Sequence, residues 1–305
     1  MSKTALVTGA TGFVGHHICN RLYNSGYEVF AIGTKGENKP LCHKFLQLTL
    51  DGIPWDLVPQ IDVCFHQAAN NDTTDMDTTN MLRSNLTAPS NLFYRLVREK
   101  KCRQFVYASS CAVYGNQPVP YVERATALQP LNPYAQSKVL FEQFAVNFAL
   151  EYGVNVIGLR YSNVYGPGEK HKGKRSSMIH QLLQTMLRGE RTKLFKYGEH
   201  LRDWVYIEDV VDANVLSSQY KHSNVFNVGA GEAMDFNSVV NTLDGALGKW
   251  LRPETEYIDC PFPEAYQSHT LLDLKHISTC VGYKPKYTIA EGIRKFVEET
   301  KKAEI

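Results

Sequence analysis

Several things are missing from this 305-residue chain, and each absence narrows what the protein can be. No apolar run approaches the ~18 residues that a membrane-spanning helix needs, so no spanning helix is expected. The seven cysteines (Cys19, Cys42, Cys64, Cys102, Cys111, Cys260 and Cys280) contain no Cys-x-x-Cys pair. Structural zinc needs such close pairs, and an odd set of scattered cysteines reads as reduced thiols. No excess of one charge exists either: 33 Lys plus Arg against 31 Asp plus Glu leaves +2. That balance carries no electrostatic footprint for nucleic acid or for an anionic membrane surface. No basic and apolar leader precedes the strand-like Ala5-Leu6-Val7, so a cytoplasmic protein is expected rather than a secreted or lipid-anchored one. Repeats and low-complexity segments are absent too.

What the chain does contain is alternation. Short β-branched and aromatic runs occur at Ala5–Thr8, Val29–Ile32, Phe45–Leu48, Val63–His66, Phe105–Ser109, Val156–Arg160 and Val225–Val228. Helix-like stretches lie near 13–25, 80–99, 134–152 and 178–188. Strands that alternate with helices imply βαβ crossovers and a parallel sheet with helices on both faces. The expected fold is therefore α/β, a doubly wound parallel sheet of the Rossmann type, with a smaller interleaved substrate-binding lobe. Regularity weakens after Arg160, which predicts a dinucleotide-binding part over 1–166 and 204–235. The substrate lobe would then span 167–203 and 236–305.

Thr8-Gly9-Ala10-Thr11-Gly12-Phe13-Val14-Gly15 follows the first strand and opens a helix. Glycines there make a tight turn and let backbone approach a pyrophosphate, while the helix N-terminus supplies N–H groups and partial positive charge. Gly9, Thr11, Gly12, Phe13, Val14 and Gly15 are thus candidate dinucleotide contacts. The second strand runs into Gly33-Thr34-Lys35 with no carboxylate at the position where NAD sites usually carry one. Thr34 and Lys35 then favour NADP over NAD, because a lysine attracts a 2′-phosphate.

A second constellation follows. Phe105-Val106-Tyr107-Ala108-Ser109-Ser110 reads as a buried strand ending in two hydroxyls, and Tyr134-Ala135-Gln136-Ser137-Lys138 opens a helix. Tyr134 and Lys138, at i and i+4, project from one helical face. A neighbouring ammonium favours phenolate and makes Tyr134 a usable acid/base, with Ser110 placed to hydrogen-bond a reacting oxygen. Cys111 reads as a small buried hydrophobe. His66 and His171 lack a second ligand at helical spacing, so no metal site is expected.

These motifs together resemble the extended short-chain dehydrogenase/reductase superfamily over essentially the whole chain. Further support comes from His66-Gln67-Ala68-Ala69, Tyr114-Gly115, Arg160–Pro167 and Arg202–Val210. The resemblance implies a nucleotide-sugar enzyme with a tightly held nicotinamide cofactor. It further implies cofactor contacts from Asp51, Gln67, Ala68, Ala69, Asn85, Tyr134 and Lys138. Two segments, Glu169-Lys170-His171-Lys172-Gly173 and Pro263–Thr270, are similar to the ADP-L-glycero-D-manno-heptose 6-epimerase family, as is Asp72-Thr73-Thr74. That likeness assigns Lys172 as a second acid/base opposite Tyr134 and implies substrate contacts from Ser109, Ser110, Asn163, His171, Lys172, Arg202 and Tyr266. The chain departs from the pattern at Gly168 and Ala265, where arginines often stand, and at the inserted Lys174-Arg175. The implied reaction is epimerisation of a nucleotide-diphosphate sugar by transient hydride transfer, first of all at C6 of an ADP-heptose. The alternative is a UDP-hexose 4-epimerase or another nucleotide-sugar dehydrogenase or dehydratase, although Cys111-Ala112 replaces the Asp-Glu pair that dehydration would use. The stretches 80–99 and 134–152 have broad apolar faces that must also pack on the sheet, and the resemblance, whose members commonly pair these two helices, implies a homo-oligomer, a dimer or higher.

Overall fold

The computed structural model describes residues 2–248, 254–261, 263 and 266–303. Glu264 and Ala265, in the segment before Tyr266, lie outside these described residues. In chain order the elements begin β1 (Thr4–Thr8), α1 (Phe13–Asn24), β2 (Glu28–Gly33), β3 (Lys44–Gln47), β4 (Val63–His66), α2 (Thr78–Leu82), α3 (Ala88–Lys100) and β5 (Gln104–Ser110). They continue with α4 (Pro133–Tyr152), β6 (Asn155–Tyr161), β7 (Asn163–Tyr165), α5 (Met178–Leu187), β8 (Lys193–Phe195), β9 (Leu201–Arg202), β10 (Trp204–Tyr206) and α6 (Ile207–Ser217). The remainder is β11 (Asn224–Val228), β12 (Met234–Asp235), α7 (Phe236–Leu247), β13 (Glu256–Ile258), α8 (Lys275–Val281) and α9 (Ile289–Ala303).

Seven strands form one parallel sheet in the order β11-β6-β5-β4-β1-β2-β3. The order reverses beside β1, where a doubly wound sheet opens a crevice at the carboxyl ends of its strands. The apolar strand runs have a direct cause in the period-two alternation of side chains. Ala5 and Val7 pack on the face covered by α1, α5, α6, α7 and α9, whereas Leu6 packs on the face covered by α3 and α4. Phe105 and Tyr107 join Leu6, and Val106 joins Val7. Both faces are covered, so every position must be apolar.

The stretch expected as one helix over 80–99 is broken. A π-helical turn at Arg83–Thr87 separates α2 from α3. Hydrophobic periodicity cannot report one widened turn, and such turns often mark functional positions. This one turns Asn85 inward, to 3% exposure.

After β6 the chain leaves and re-enters the sheet. β7 pairs with β10, β9 with β12, and β8 with β13, each as a small separate ladder. Leu243 of α7 and Ile293 and Phe296 of α9 share one apolar cluster with Phe13 and Ile18 of α1. A strap over 266–273 runs beside β9 and Tyr121 through bridges Leu201–His269 and Tyr121–Leu272. Buried Asp203 ties these parts together. It accepts hydrogen bonds from Ser162 Oγ and from the backbone N–H groups of Ala230, Gly231 and Leu272. No helix among the described residues is long and apolar enough to cross a membrane.

Candidate active site

The glycine loop sits at the carboxyl end of β1. Gly9 has φ +65°, and a Cβ there would lie 2.6 Å from the Ala68 amide nitrogen. A Cβ on Gly15 would lie 2.3 Å from Gly9 O, so α1 can approach the loop only through a glycine. Gly12 caps α1 without a side-chain hydrogen bond. The first-turn N–H groups are therefore left to a ligand, and they fit a dinucleotide pyrophosphate. Thr11 is buried under Gly33, whose Cβ would meet Thr11 Oγ1 at 2.6 Å. Thr34 and Lys35 are exposed beyond it.

Of the other expected cofactor contacts, three have partners within the chain. Asp51 lies in a short surface turn and faces Arg83 at 3.5 Å, an exposed pair of little energetic weight. The half-buried Gln67 amide, just past β4, donates to Asn214 Oδ1 of α6 and accepts from the Tyr161 hydroxyl. Asn85 donates to Asn70 O and to Ser137 Oγ at 3.0 Å, and accepts from Asn70 N. It therefore fastens the loop after β4 to α4 (Ser137). Ala68 donates its N–H to Thr8 Oγ1, and Ala69 is exposed at the same rim. His66 bonds Thr8 Oγ1 and packs against Phe93 and Phe141, and burial drops its pKa to about 3. It is a neutral structural imidazole.

α4 is built to present Tyr134. Asn132 Oδ1 accepts the Ala135 N–H, and Pro133 occupies the first helical position, where its missing N–H costs nothing. One turn on, buried Lys138 donates to Ala108 O at the end of β5, with its Nζ 5.7 Å from the Tyr134 ring centroid. Burial lowers the Lys138 ammonium to about 8, against an opposing pull from Glu142. Burial raises the Tyr134 phenol to about 12, and Ser110 as hydrogen-bonding neighbour works the other way. Ser110 Oγ also accepts the Ala112 N–H. Ser109 does not face the site. It is 2% exposed and donates to Glu142 Oε1 at 2.5 Å. Glu142 is in turn held by Arg160 through bonds of 2.9 and 2.6 Å. This buried pair, missed from sequence, could have been found from an acid one turn past Lys138.

Lys172 lies on a 3-10 turn between β7 and α5. It pairs with Glu169 at 3.0 Å and stands over the Phe13 ring at 5.0 Å. His171 turns toward Gly168 O, with Lys35 and His16 among its charged neighbours, on the α1 side of the turn. Asn163 donates to Asp203 O and Thr270 Oγ1, joining β7 to the strap. Arg202 is buried, with its guanidinium carbon 4.7 Å from the Tyr266 ring centroid and 5.8 Å from that of Phe236. Gln267 donates to Gly115 O at 2.6 Å and so anchors the strap over this rim. Cys111 is buried against Tyr121 and Val139, and burial raises its thiol to about 12.

A family model described as the NAD dependent epimerase/dehydratase family matches residues 5–229. Among solved structures, Helicobacter pylori ADP-L-glycero-D-manno-heptose-6-epimerase is 31% identical with a TM-score of 0.87, covering 98% of this chain and 96% of that one. MoeE5 in complex with UDP-glucose and NAD is 28% identical, TM-score 0.88, with all of both chains covered. UDP-glucose 4-epimerase from Thermotoga maritima is 26% identical, TM-score 0.89, covering 99% of this chain and 100% of that one.

Proposed function

Because the chain belongs to the NAD dependent epimerase/dehydratase family, we propose that it is a nicotinamide-dependent nucleotide-sugar epimerase acting at C6 of an ADP-heptose. The observation that carries the heptose reading is Lys172, an amine held against the cofactor loop at Phe13 from a segment similar to the heptose epimerases.

Epimerisation by oxidation and re-reduction removes hydrogen from one face of a carbon and returns it to the other, with the ketone turning between. A bound nicotinamide would take the hydride and give it back. Tyr134 takes the hydroxyl proton during oxidation. Lys138 is placed beneath the Tyr134 ring, and its positive charge favours the phenolate. Ser110 donates to the reacting oxygen. Once the ketone has turned, its oxygen no longer faces Tyr134, and Lys172 supplies the proton from the other side. Arg202 grips pyrophosphate oxygens as a charged donor. Phe13, Val14 and Gly15 N–H groups cradle the dinucleotide pyrophosphate. Among the neighbours named above, MoeE5 holds NAD, so NAD is favoured and the NADP expectation from Lys35 gives way. A second reading, UDP-hexose 4-epimerisation, is supported by the higher TM-score of the Thermotoga enzyme.

The test is proton NMR of the purified protein with ADP-D-glycero-D-manno-heptose and no added cofactor. Appearance of the L-glycero epimer is expected. An unchanged spectrum from protein that demonstrably carries dinucleotide would overturn the heptose assignment and turn attention to UDP-sugars.

A further inference from the structure

Lys172 has a built partner. Glu169, three residues earlier, is 0% exposed, and its Oε2 accepts from Lys172 Nζ at 3.0 Å. The same carboxylate takes the Ser177 N–H at 2.6 Å on Oε2 and the Ser177 hydroxyl at 2.6 Å on Oε1. Ser177 caps α5, so the start of that helix already gives both oxygens a donor. Lys172 is an addition to a carboxylate that the fold satisfies without it. The charged and titratable neighbours of the ammonium are Glu169 and His171 on its own segment and His180 on α5. α1 contributes the Phe13 ring, and His16 and Lys35 stand beyond His171. Glu169 is the nearest acid in this set.

We propose that Glu169 is a positioning residue that aims Lys172 at the substrate. The inference rests on the preceding reading of Lys172 as second acid/base. In the return half-reaction a C–H bond forms from the hydride, the carbonyl oxygen takes a proton, and the Lys172 N–H bond breaks. Lys172 is left as a neutral amine beside a carboxylate. The proton is regained from solvent, to which the side chain remains 17% exposed. Fixing Nζ between Glu169 and the Phe13 ring also links the second proton carrier to the loop that cradles the cofactor.

The test is the half-reaction of Glu169→Gln, which keeps an acceptor for Ser177 and removes the charge that aims Nζ, followed as reduced-nicotinamide absorbance with each sugar epimer in turn. Oxidation of the epimer that uses Tyr134 should run at the parent rate, and oxidation of the epimer that uses Lys172 should slow about tenfold with little change in KM. If the variant does not fold, Glu169→Asp draws the carboxylate back from Nζ and should slow the same half-reaction, by less. Equal slowing with both epimers, or no slowing with either, in whichever variant folds overturns the proposal and leaves Glu169 a brace for α5. Lys172→Met separates the two claims. If it abolishes epimerisation while the Glu169 variant treats both epimers alike, only the role of Glu169 falls. If it turns over normally, the reading of Lys172 falls and this inference with it.

Discussion

On the proposed reading Tyr134 and Lys172 handle the same proton inventory, yet the chain holds them by different means. Tyr134 stands in the first turn of a twenty-residue helix, capped by Asn132, set by Pro133 and packed on the parallel sheet. Lys172 stands on a short 3-10 turn between two glycines of positive φ, Gly168 at +94° and Gly173 at +56°, and depends on one carboxylate for its aim. The difference shows how such a site divides its labour. Chemistry that every reaction of the scaffold needs is mounted on rigid elements, and groups that suit one substrate are mounted on turns that can vary without disturbing the sheet.

The comparison can be broken most severely from the rigid side. Tyr134→Phe should reduce kcat by about a thousandfold, the scale of losing a positioned acid/base, with the melting temperature little changed. Steady-state turnover within tenfold of the parent would mean that α4 does not carry the chemistry. Gly15→Val should abolish dinucleotide retention, because its Cβ meets the Gly9 carbonyl oxygen at 2.3 Å. Protein that still co-purifies with full-strength cofactor absorbance would refute the cradle. On the proposed sugar side, Arg202→Ala in β9 should raise KM for the nucleotide sugar by about ten- to a hundredfold, the loss of a charged hydrogen bond, and leave kcat nearly intact. A kcat loss instead would place Arg202 in the chemistry.

A smaller effect concerns pH and stability. Lys138 titrates at about 8 in the folded protein against the ordinary 10.5, so between those values the unfolded chain binds more protons. Its contribution therefore grows as pH rises toward 10.5 and is lost as pH falls through 8. The stability gap between parent and Lys138→Met should shift in the parent's favour by up to about 3 kcal/mol across that window in urea unfolding. A pH-independent gap would show that Lys138 is not desolvated. Smallest of all, Lys35→Glu should leave NAD affinity within about threefold, since the side chain is exposed and a surface charge has little energetic weight.

The same division explains what could be read in advance. β1 was legible because Ala5, Leu6 and Val7 must all be apolar when both faces of a strand are covered. The pairing of Tyr134 with Lys138 was legible because helical spacing is geometry. The bonds of Asn85 to Asn70 and Ser137 were not legible, because the π-helical turn that makes them leaves no trace in hydrophobic periodicity. Ser109 carries the right group near the right strand end, but strand alternation turns it inward, toward Glu142. Glu169 was seen only as part of a motif. Its partner Ser177 is eight residues away across a kinked turn, and no spacing rule connects them.

The claim that two proton carriers act in sequence has a direct test in a half-reaction. Lys172→Met protein that retains its dinucleotide is mixed with each ADP-heptose epimer in turn, and the absorbance of reduced nicotinamide is followed. The account predicts reduction that persists with one epimer, whose oxidation uses Tyr134, and none with the other. Tyr134→Phe should show the opposite preference. Normal epimerisation by Lys172→Met, or equal reduction by both epimers, would contradict the account and leave Tyr134 acting alone.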